Sequence, residues 1–351
     1  MKLHKIVLAS VAAVVFNGAA IAQQEFVIRI GGGHPTTVTY VNQFDTYFVP
    51  EVVREAAAKG HKIRFVKAWA GTVAKLDNTS EAVQKGVLDI GLTVPTFEAS
   101  RLAIVNFSNH VAFGSTDYGM VSKIGMRMVK EMPALKEALR KDVNAELLAL
   151  IVGENYGMNL NKEITKLDDL KGRKIAASYT TAIWAAGAGA TPIGMGIGEL
   201  YQALQTNLVE GSVIYESFIP GFKLDEVSKF WYQTDFGITL GIAPIMNLNT
   251  RNRLPKDVVD IIDRVAEQTA YKVAEASAKR EADTRNMLKS KVKVIKVTDA
   301  DKKQWAEALK EMPGKAAKEL DARGQPGTTV FKTYLQYLRD AGHKFPADYP
   351  L

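Results

Sequence analysis

Histidine is the residue type in this chain with the widest chemical range, yet its spacing matches no catalytic or metal-binding pattern. Beyond residue 22 there are four histidines, and no two of them lie three or four positions apart: His34, His61, His110 and His343. The zinc motif H-E-x-x-H, the nucleophile motif G-x-S-x-G and cysteine are all absent from the sequence. We therefore expect no metal and no cofactor. Because the members of a serine–histidine–aspartate triad meet only in space, an exported enzyme stays as the alternative of another class.

Two glycine-rich segments match phosphate-binding loops only in part. The run Gly31-Gly32-Gly33-His34 follows a predicted strand but lacks the lysine and the hydroxyl residue of a nucleotide-binding loop. The stretch 187–198 carries Pro192 where the third glycine of a dinucleotide fingerprint would stand. We interpret the first run as a tight turn that brings the backbone close to a ligand, and we expect neither segment to bind a nucleotide.

Aromatic side chains near the ends of predicted strands are the stronger signal, and Glu154 and Glu216 lie close to them in the sequence. Ligands of open α/β sheets bind beyond the carboxyl ends of the strands, and aromatic-lined clefts with a few polar groups are the usual small-molecule sites. For each aromatic residue alone, core packing is the alternative. The predicted ligand-binding set is His34, Trp69, Phe97, Tyr156, Tyr179, Trp184, Tyr215 and Glu216.

The elements that would position these residues alternate between strands and helices. Residues 26–30, 61–69 and 89–94 have the β-branched, alternating character of strands, and helical spacing fills 41–59 and 118–141. Such alternation predicts mostly parallel sheets with helices on both faces. From residue 256 to about 289 the helical pattern is nearly continuous, and at 1.5 Å per residue it would reach about 50 Å. We expect so long a helix to brace two lobes.

The N-terminus predicts export. Two lysines precede an apolar run over residues 6–16, and the segment ends in Ala20-Ile21-Ala22, a pattern typical of a secretory signal peptide. The run is shorter than the roughly 20 residues that a spanning helix needs. We expect a signal peptide over residues 1–22, cleaved after Ala22, and no membrane-spanning segment in the mature chain.

Length and charge limit the number of domains and the kinds of binding partner. A chain of 351 residues exceeds what a single core comfortably supports, so two domains are expected. The formal charge of +7 is spread along the chain without a long basic run, which gives no support for nucleic acid binding.

A set of motifs in the second half resembles a known family. Asp169-Leu170-Lys171-Gly172, Lys174-Ile175, Gly189-Ala190-Thr191-Pro192 and residues 199–205 (ELYQALQ) follow the pattern of the solute-binding proteins of tripartite ATP-independent periplasmic (TRAP) transporters. Residues 86–91 (GVLDIG) and 222–230 (FKLDEVSKF) add to the resemblance, which covers essentially the whole mature chain.

The resemblance implies an α/β, two-lobed periplasmic binding protein fold, with mixed sheets, flanking helices and a long helix bracing both lobes. By similarity, lobe I would hold residues 23–150 and 241–283, and lobe II residues 151–240 and 284–351. It also implies capture of a small organic acid between the lobes in the periplasm and its delivery to TRAP membrane permease subunits. We expect a monomer.

One departure bears on the ligand. Family members commonly carry a carboxylate-binding arginine directly after the K-I pair, and that position here is Ala176. A buried carboxylate without a partner costs several kcal/mol, so another cation, with Arg101 as the candidate, would have to replace it. Otherwise the ligand is an amine, a zwitterion or a neutral aromatic molecule. Glu216 and the aromatic residues Trp69, Tyr156, Tyr179 and Tyr215 would then surround it.

Overall fold

The computed structural model describes residues 24–351, and the predicted signal peptide, residues 1–22, lies outside the described residues. The described part of the chain forms two lobes, each built on one mixed sheet. The strands are β1 (Glu25–Gly31), β2 (Lys62–Ala68), β3 (Ile90–Thr93), β4 (Ala145–Leu147), β5 (Tyr156–Leu160), β6 (Lys174–Ala176), β7 (Thr191–Ile193), β8 (Gly211–Tyr215), β9 (Phe230–Gln233), β10 (Ala243–Asn247) and β11 (Lys293–Lys296).

Helices flank both sheets. They are α1 (Thr39–Gln43), α2 (Val49–Ala58), α3 (Thr79–Gln84), α4 (Tyr118–Glu131), α5 (Pro133–Val143), α6 (Thr180–Gly187), α7 (Leu200–Gln205), α8 (Phe218–Gly221), α9 (Leu224–Val227), α10 (Leu248–Arg253), α11 (Lys256–Leu288), α12 (Asp299–Leu309), α13 (Met312–Ala322) and α14 (Gly327–Asp340). The helix expected over 41–59 is divided, because a π-helical segment, Phe44–Phe48, separates α1 from α2. Among residues 24–351, no helix combines the length and the apolar character needed to cross a membrane.

The strand order explains why both sheets are mixed rather than mostly parallel. Lobe I has the order β2-β1-β3-β10-β4 and lobe II the order β11-β9-β5-β8-β6-β7. In lobe I, β10 runs antiparallel to β3 and β4, and in lobe II, β5 runs antiparallel to β8 and β9. The chain enters lobe II through β5 and returns to lobe I through β10, so these two strands oppose their neighbours. The predicted two-lobed α/β fold with mixed sheets is confirmed.

The long helix α11 joins the two cores. Its residues from Val258 to Ala274 pack in the cluster that contains Ile28 and Ile30 of β1, whereas Leu288 packs in a lobe II cluster with Trp231. The helix has 33 residues, which at 1.5 Å per residue is about 50 Å. One rigid element therefore contacts both lobes, as the helical pattern predicted.

The C-terminal helices pack on both lobes. Trp305 of α12 packs in the lobe II core. Helices α13 and α14 instead pack in the lobe I cluster, where Tyr334 contacts Phe107 with ring centroids 5.0 Å apart. The chain thus crosses between the lobes a fourth time, after the two crossing segments and helix α11, because the apolar face of α14 is buried against lobe I. The predicted lobe boundaries stay predictions.

Two crossing segments lie side by side between the lobes. Antiparallel bridges join Ile151 to Ile242 and Asn155 to Ile238. The segment around Glu154 is therefore held at the junction of the lobes, next to the end of β8.

Candidate ligand-binding cleft

A small enclosed cavity of about 50 Å³ lies between the two lobes. Both lobes, the crossing segments and helix α11 contribute to its wall. The lining residues are His34, Val38, Thr39, Tyr40, Val94, Val152, Gly153, Glu154, Tyr215, Phe218, Gly241, Ile242 and Ser277. Of the eight predicted ligand-binding residues, His34 and Tyr215 are among them.

The glycine run after β1 places His34 at the cavity. A Cβ atom on Gly31 would lie 2.5 Å from the carbonyl oxygen of Ala68, and one on Gly33 would lie 2.5 Å from the amide nitrogen of Leu76. The run is thus glycine because the end of β2 and the segment at Leu76, both in lobe I, approach its backbone, and not because a ligand does. Nδ1 of His34 shares a hydrogen bond of 2.8 Å with the hydroxyl of Tyr40. Burial lowers the pKa of His34 to about 4, so the imidazole is neutral at physiological pH.

Lobe II contributes a tyrosine pair. Tyr156 and Tyr215 are direct partners across β5 and β8, with ring centroids 4.3 Å apart. Tyr215 also meets Phe218 edge to face at 5.2 Å. A Cβ atom on Gly153 would lie 2.6 Å from the Tyr215 hydroxyl oxygen, so the glycine makes room for that ring. The aromatic wall therefore depends on the pairing of the two strands.

Trp184 supports this wall from within lobe II. Its ring meets Tyr156 edge to face at 5.3 Å and stacks on Phe236 at 5.0 Å. The side chain has no exposed surface. In this conformation Trp184 belongs to the core behind Tyr156 and not to the cavity surface, which is the alternative that the sequence left open for each aromatic residue.

Glu154 is the carboxylate at the cavity, and sequence reasoning did not include it in the predicted set. It is only 6% exposed, and its Oε1 accepts a hydrogen bond of 3.1 Å from the hydroxyl of Thr39. Nε of Arg280 lies 4.0 Å from the same oxygen. Burial raises the pKa of Glu154 above its ordinary value, and the Ser217 hydroxyl, Arg280 and Thr39 oppose that shift only in part.

Glu216 is held on the other side of the same strand pair. It is 3% exposed, and its Oε2 accepts a hydrogen bond of 2.9 Å from Nη2 of Arg285. The same Arg285 nitrogen donates to Oε1 of Glu281 at 2.6 Å. Glu216 is already ion-paired, so this conformation does not place it in the predicted aromatic cage.

Strand alternation is the signal that could have distinguished the two carboxylates. Side chains two positions apart on a strand share a face. Glu154 precedes Tyr156 by two positions and therefore shares its face, whereas Glu216 is adjacent to Tyr215 and points the other way. If the alternation of side chains is continued just past the ends of β5 and β8, it selects Glu154 as the carboxylate on the face of the tyrosine pair.

Phe97 and Tyr179 lie where the lobes touch outside the cavity. Their rings meet edge to face at 5.4 Å, and the hydroxyl oxygens of Thr96 and Thr180 are 3.5 Å apart. Tyr179 has φ 52° and ψ −126°, a backbone conformation that favours glycine. These contacts join lobe I to lobe II at the rim of the cleft.

The side chain of Trp69 is hydrogen-bonded within lobe I. Its Nε1 donates a hydrogen bond of 2.7 Å to Oδ1 of Asp45, in the segment between α1 and α2. It is not among the residues that line the cavity. Its predicted part in ligand binding is not supported by a contact with the cavity in this conformation.

Arg101, the cation suggested from the sequence, is engaged elsewhere, and so is Arg173, which lies three positions before Ala176. Nε of Arg101 donates to the hydroxyl of Ser80 at 3.0 Å, and Nε of Arg173 donates to the carbonyl of Asp169 at 2.6 Å. Ala176 is 6% exposed and packs in an apolar cluster of lobe II. Over residues 24–351, the cavity lining contains no lysine or arginine, and no set of histidine and carboxylate side chains converges as a metal site would require.

The comparison with protein families matches residues 52–319 to the bacterial extracellular solute-binding proteins, family 7. A curated relative, an uncharacterized protein of Haemophilus influenzae, is 24% identical over 339 residues, which are 91% of this chain and 94% of the relative. The C4-dicarboxylate-binding periplasmic protein DctP of Rhodobacter capsulatus is 29% identical over 169 residues, 47% of this chain and 50% of the relative.

Solved structures show the same fold. A TRAP periplasmic solute binding protein from Desulfovibrio salexigens superposes with a TM-score of 0.77 at 20% identity, covering 91% of this chain and 97% of the other. A TRAP solute binding protein from Rhodoferax ferrireducens, in complex with copurified benzoate, has a TM-score of 0.74 at 20% identity, covering 90% and 98%. The family match spans well over half of the chain. The chain therefore belongs to family 7 of the bacterial extracellular solute-binding proteins, the TRAP-transporter receptors that capture small organic solutes.

Proposed function

We propose that this protein captures a small organic solute in the cavity between its lobes and delivers it unchanged to a TRAP-type membrane permease. The observation that carries the proposal is the composition of the cavity wall, which combines His34 of lobe I, Glu154 of the crossing segment and Tyr215 of lobe II. A ligand there touches both lobes at once. We further propose that the protein acts in the periplasm, after removal of residues 1–22, and as a monomer.

Hinge closure is the mechanism that this geometry supports. A ligand shifts a conformational equilibrium only by its difference in affinity for the two states. A solute that contacts both lobes binds the closed form better, because the open form offers it one wall. The contacts between Phe97 and Tyr179 and between Thr96 and Thr180 would form on closure and separate on opening.

The relatives indicate the size of the solute. Solved structures of the same fold hold benzoate, as noted above, or pyroglutamate, as in Bordetella pertussis DctP6. Tyr40, Tyr215 and Phe218 provide ring faces and edges that suit a small cyclic or partly apolar body. An organic acid is the class that the family implies, and here it would need Arg280 to turn from its present partners toward the ligand.

The test is a binding screen with two readouts on the chain that begins at Gln23. The protein is unfolded and refolded to remove carried-over ligand, then melted with carboxylates, amines, amino alcohols and small aromatic molecules. A ligand at 100 times its Kd stabilises by about 2.7 kcal/mol, which a melt resolves. Small-angle X-ray scattering then measures whether the hit contracts the protein, and mass spectrometry whether it is recovered unchanged.

A pair of variants on α11 controls for the site. Ser277 is 1% exposed and lines the cavity, so Ser277→Leu should fill the space and abolish binding. Glu275 has a side chain that is 72% exposed on the same helix, and Glu275→Leu should bind as the wild type does. Binding without contraction, or equal binding by both variants, would contradict the proposal. Steady loss of the solute would favour the exported enzyme.

A further inference from the structure

The cavity has an uneven charge distribution. Among its lining residues, Glu154 is the one carboxylate, and burial keeps the imidazole of His34 neutral. An ionised carboxylate in a small apolar cavity is costly unless charged or hydrogen-bonding partners offset its desolvation. The contacts of Glu154 therefore decide what the cavity can accept.

The protein satisfies Glu154 only in part. Thr39 donates one hydrogen bond to Oε1, and the Ser217 hydroxyl lies near the carboxylate and favours its charged form. Nε of Arg280 lies 4.0 Å from Oε1, beyond hydrogen-bond distance. The Arg280 guanidinium instead donates from Nη1 to the carbonyl of Thr37 at 2.7 Å and to the Thr39 hydroxyl at 3.3 Å. A carboxylate has about four lone-pair sites, so Glu154 retains capacity to accept hydrogen bonds from a ligand.

The charged groups next to the cavity include more carboxylates than guanidiniums. Glu154, Glu216 and Glu281 contribute three carboxylates, whereas Arg280 and Arg285 contribute two guanidiniums. Arg285 is shared between Glu216 and Glu281, so it is not available to Glu154. With all five groups ionised, the cluster is one positive charge short of neutrality.

Resting on the proposed function, we propose that Glu154 determines the specificity of the cleft and that the solute carries a positively charged nitrogen group on a small, partly apolar body. The N–H groups of a primary or secondary ammonium or an amidinium would donate to Glu154. The faces of Tyr215 and Phe218 would contact the cation or the adjoining carbon atoms. One positive charge would bring the cluster to neutrality.

The same contacts disfavour a simple carboxylate. A carboxylate ligand in this cavity would face Glu154, and like charges at close range cannot both stay ionised without a cation between them. Arg280 could serve only after it leaves the carbonyl of Thr37, and Ala176 supplies nothing at the position of the family arginine. The carboxylate that the cavity does hold belongs to the protein.

Two sets of three probes, which differ within each set only in the polar group, test this inference. Benzylamine, benzyl alcohol and benzoate, and cyclohexylamine, cyclohexanol and cyclohexanecarboxylate, are titrated calorimetrically into the wild-type chain from Gln23. We expect the amine of each set to bind most tightly. Because a hydrogen bond to a charged group is strong, Glu154→Gln should weaken amine binding by about 10- to 100-fold and alcohol binding by less than about threefold.

Glu98→Gln is the matched control. Glu98 is also a buried carboxylate, 3% exposed, but it accepts its hydrogen bonds from Ser80 within lobe I and does not line the cavity. The variant Glu98→Gln should therefore bind the amines as the wild type does. Tight binding and contraction with a carboxylate but not an amine would overturn the inference and leave the proposed function standing. Equal amine affinity of the wild type and Glu154→Gln would do the same. If no probe class binds or contracts the protein, the proposed function fails, and this inference fails with it.

Discussion

The ion pair between Glu216 and Arg285 should stabilise the fold without contributing to ligand recognition. The Glu216 side chain is 3% exposed and that of Arg285 36%, and their charged groups meet at 2.9 Å. Removal of one partner from a buried pair costs about 3–5 kcal/mol, because the other charge is left without compensation. Since Arg285 is partly exposed, we expect the lower end, about 3 kcal/mol, for Arg285→Met. In a chain of this size that corresponds to a decrease in Tm of about 4 °C.

A double-mutant cycle separates the pair from the two side chains. Replacement of both partners of a buried pair by apolar groups is often nearly neutral. Glu216→Leu combined with Arg285→Met should therefore recover the part of the free energy of unfolding that Arg285→Met loses through Glu216. Glu281, the second partner of Arg285, lacks that contact in both variants. Urea unfolding at pH 7.5 measures all four proteins. A coupling free energy below about 0.5 kcal/mol, or a double variant as unstable as the sum of the singles, would refute the reasoning.

The pH dependence of the single variant provides a second check. Burial raises the pKa of Glu216, and Arg285 is the partner that opposes the shift. Without Arg285 the pKa in the folded protein should rise further above its unfolded value. The loss of stability in Arg285→Met then applies at pH values above the pKa of Glu216 in the folded protein, and it disappears as this carboxylate is protonated. The deficit of Arg285→Met should therefore be smaller at pH 4.5 than at pH 7.5, and an unchanged deficit would contradict this account.

Three further changes test the cleft. Phe97→Ala removes a ring contact to lobe II, and because aromatic pairs contribute about 0.5–1.5 kcal/mol, affinity should decrease by about 2- to 12-fold without loss of fold, as calorimetry and circular dichroism can show. In urea unfolding without ligand, Glu154→Gln should gain stability relative to the wild type as pH rises from 4 to 7.5. The reason is that burial raises the pKa of Glu154 and so destabilises the folded protein when this carboxyl is charged. The opposite trend would exclude this cause. Ala176→Arg should shift preference toward carboxylates in the probe titrations, and an unchanged ligand profile would mean that this position does not face the cleft.

Local pattern explains the elements that were predicted well. The strand expected at 26–30 is β1, and the helix expected over 256–289 is α11, because β-branched alternation and helical apolar spacing are properties of short stretches of sequence. The strands β7 and β11 were not predicted. Each is short, lies at an edge of the lobe II sheet and depends on its one neighbouring strand for hydrogen bonds. Such a segment becomes a strand only when a partner is already in place.

By itself, the sequence determined the two-lobed architecture and the family, since these depend on periodicity and on motifs read along the chain. Strand alternation along the sequence places Glu154 on the face of Tyr156, but only the tertiary structure decided that this face borders the cavity. Glu154 and Glu216 are equally acidic and equally close to tyrosines in sequence, but strand pairing places the first beside Tyr156 and Tyr215 and the second against Arg285. The tertiary structure likewise decided that α14 packs against lobe I. Register and helix docking are contacts between distant residues, so the physical information that selects them is absent from any local stretch of the chain.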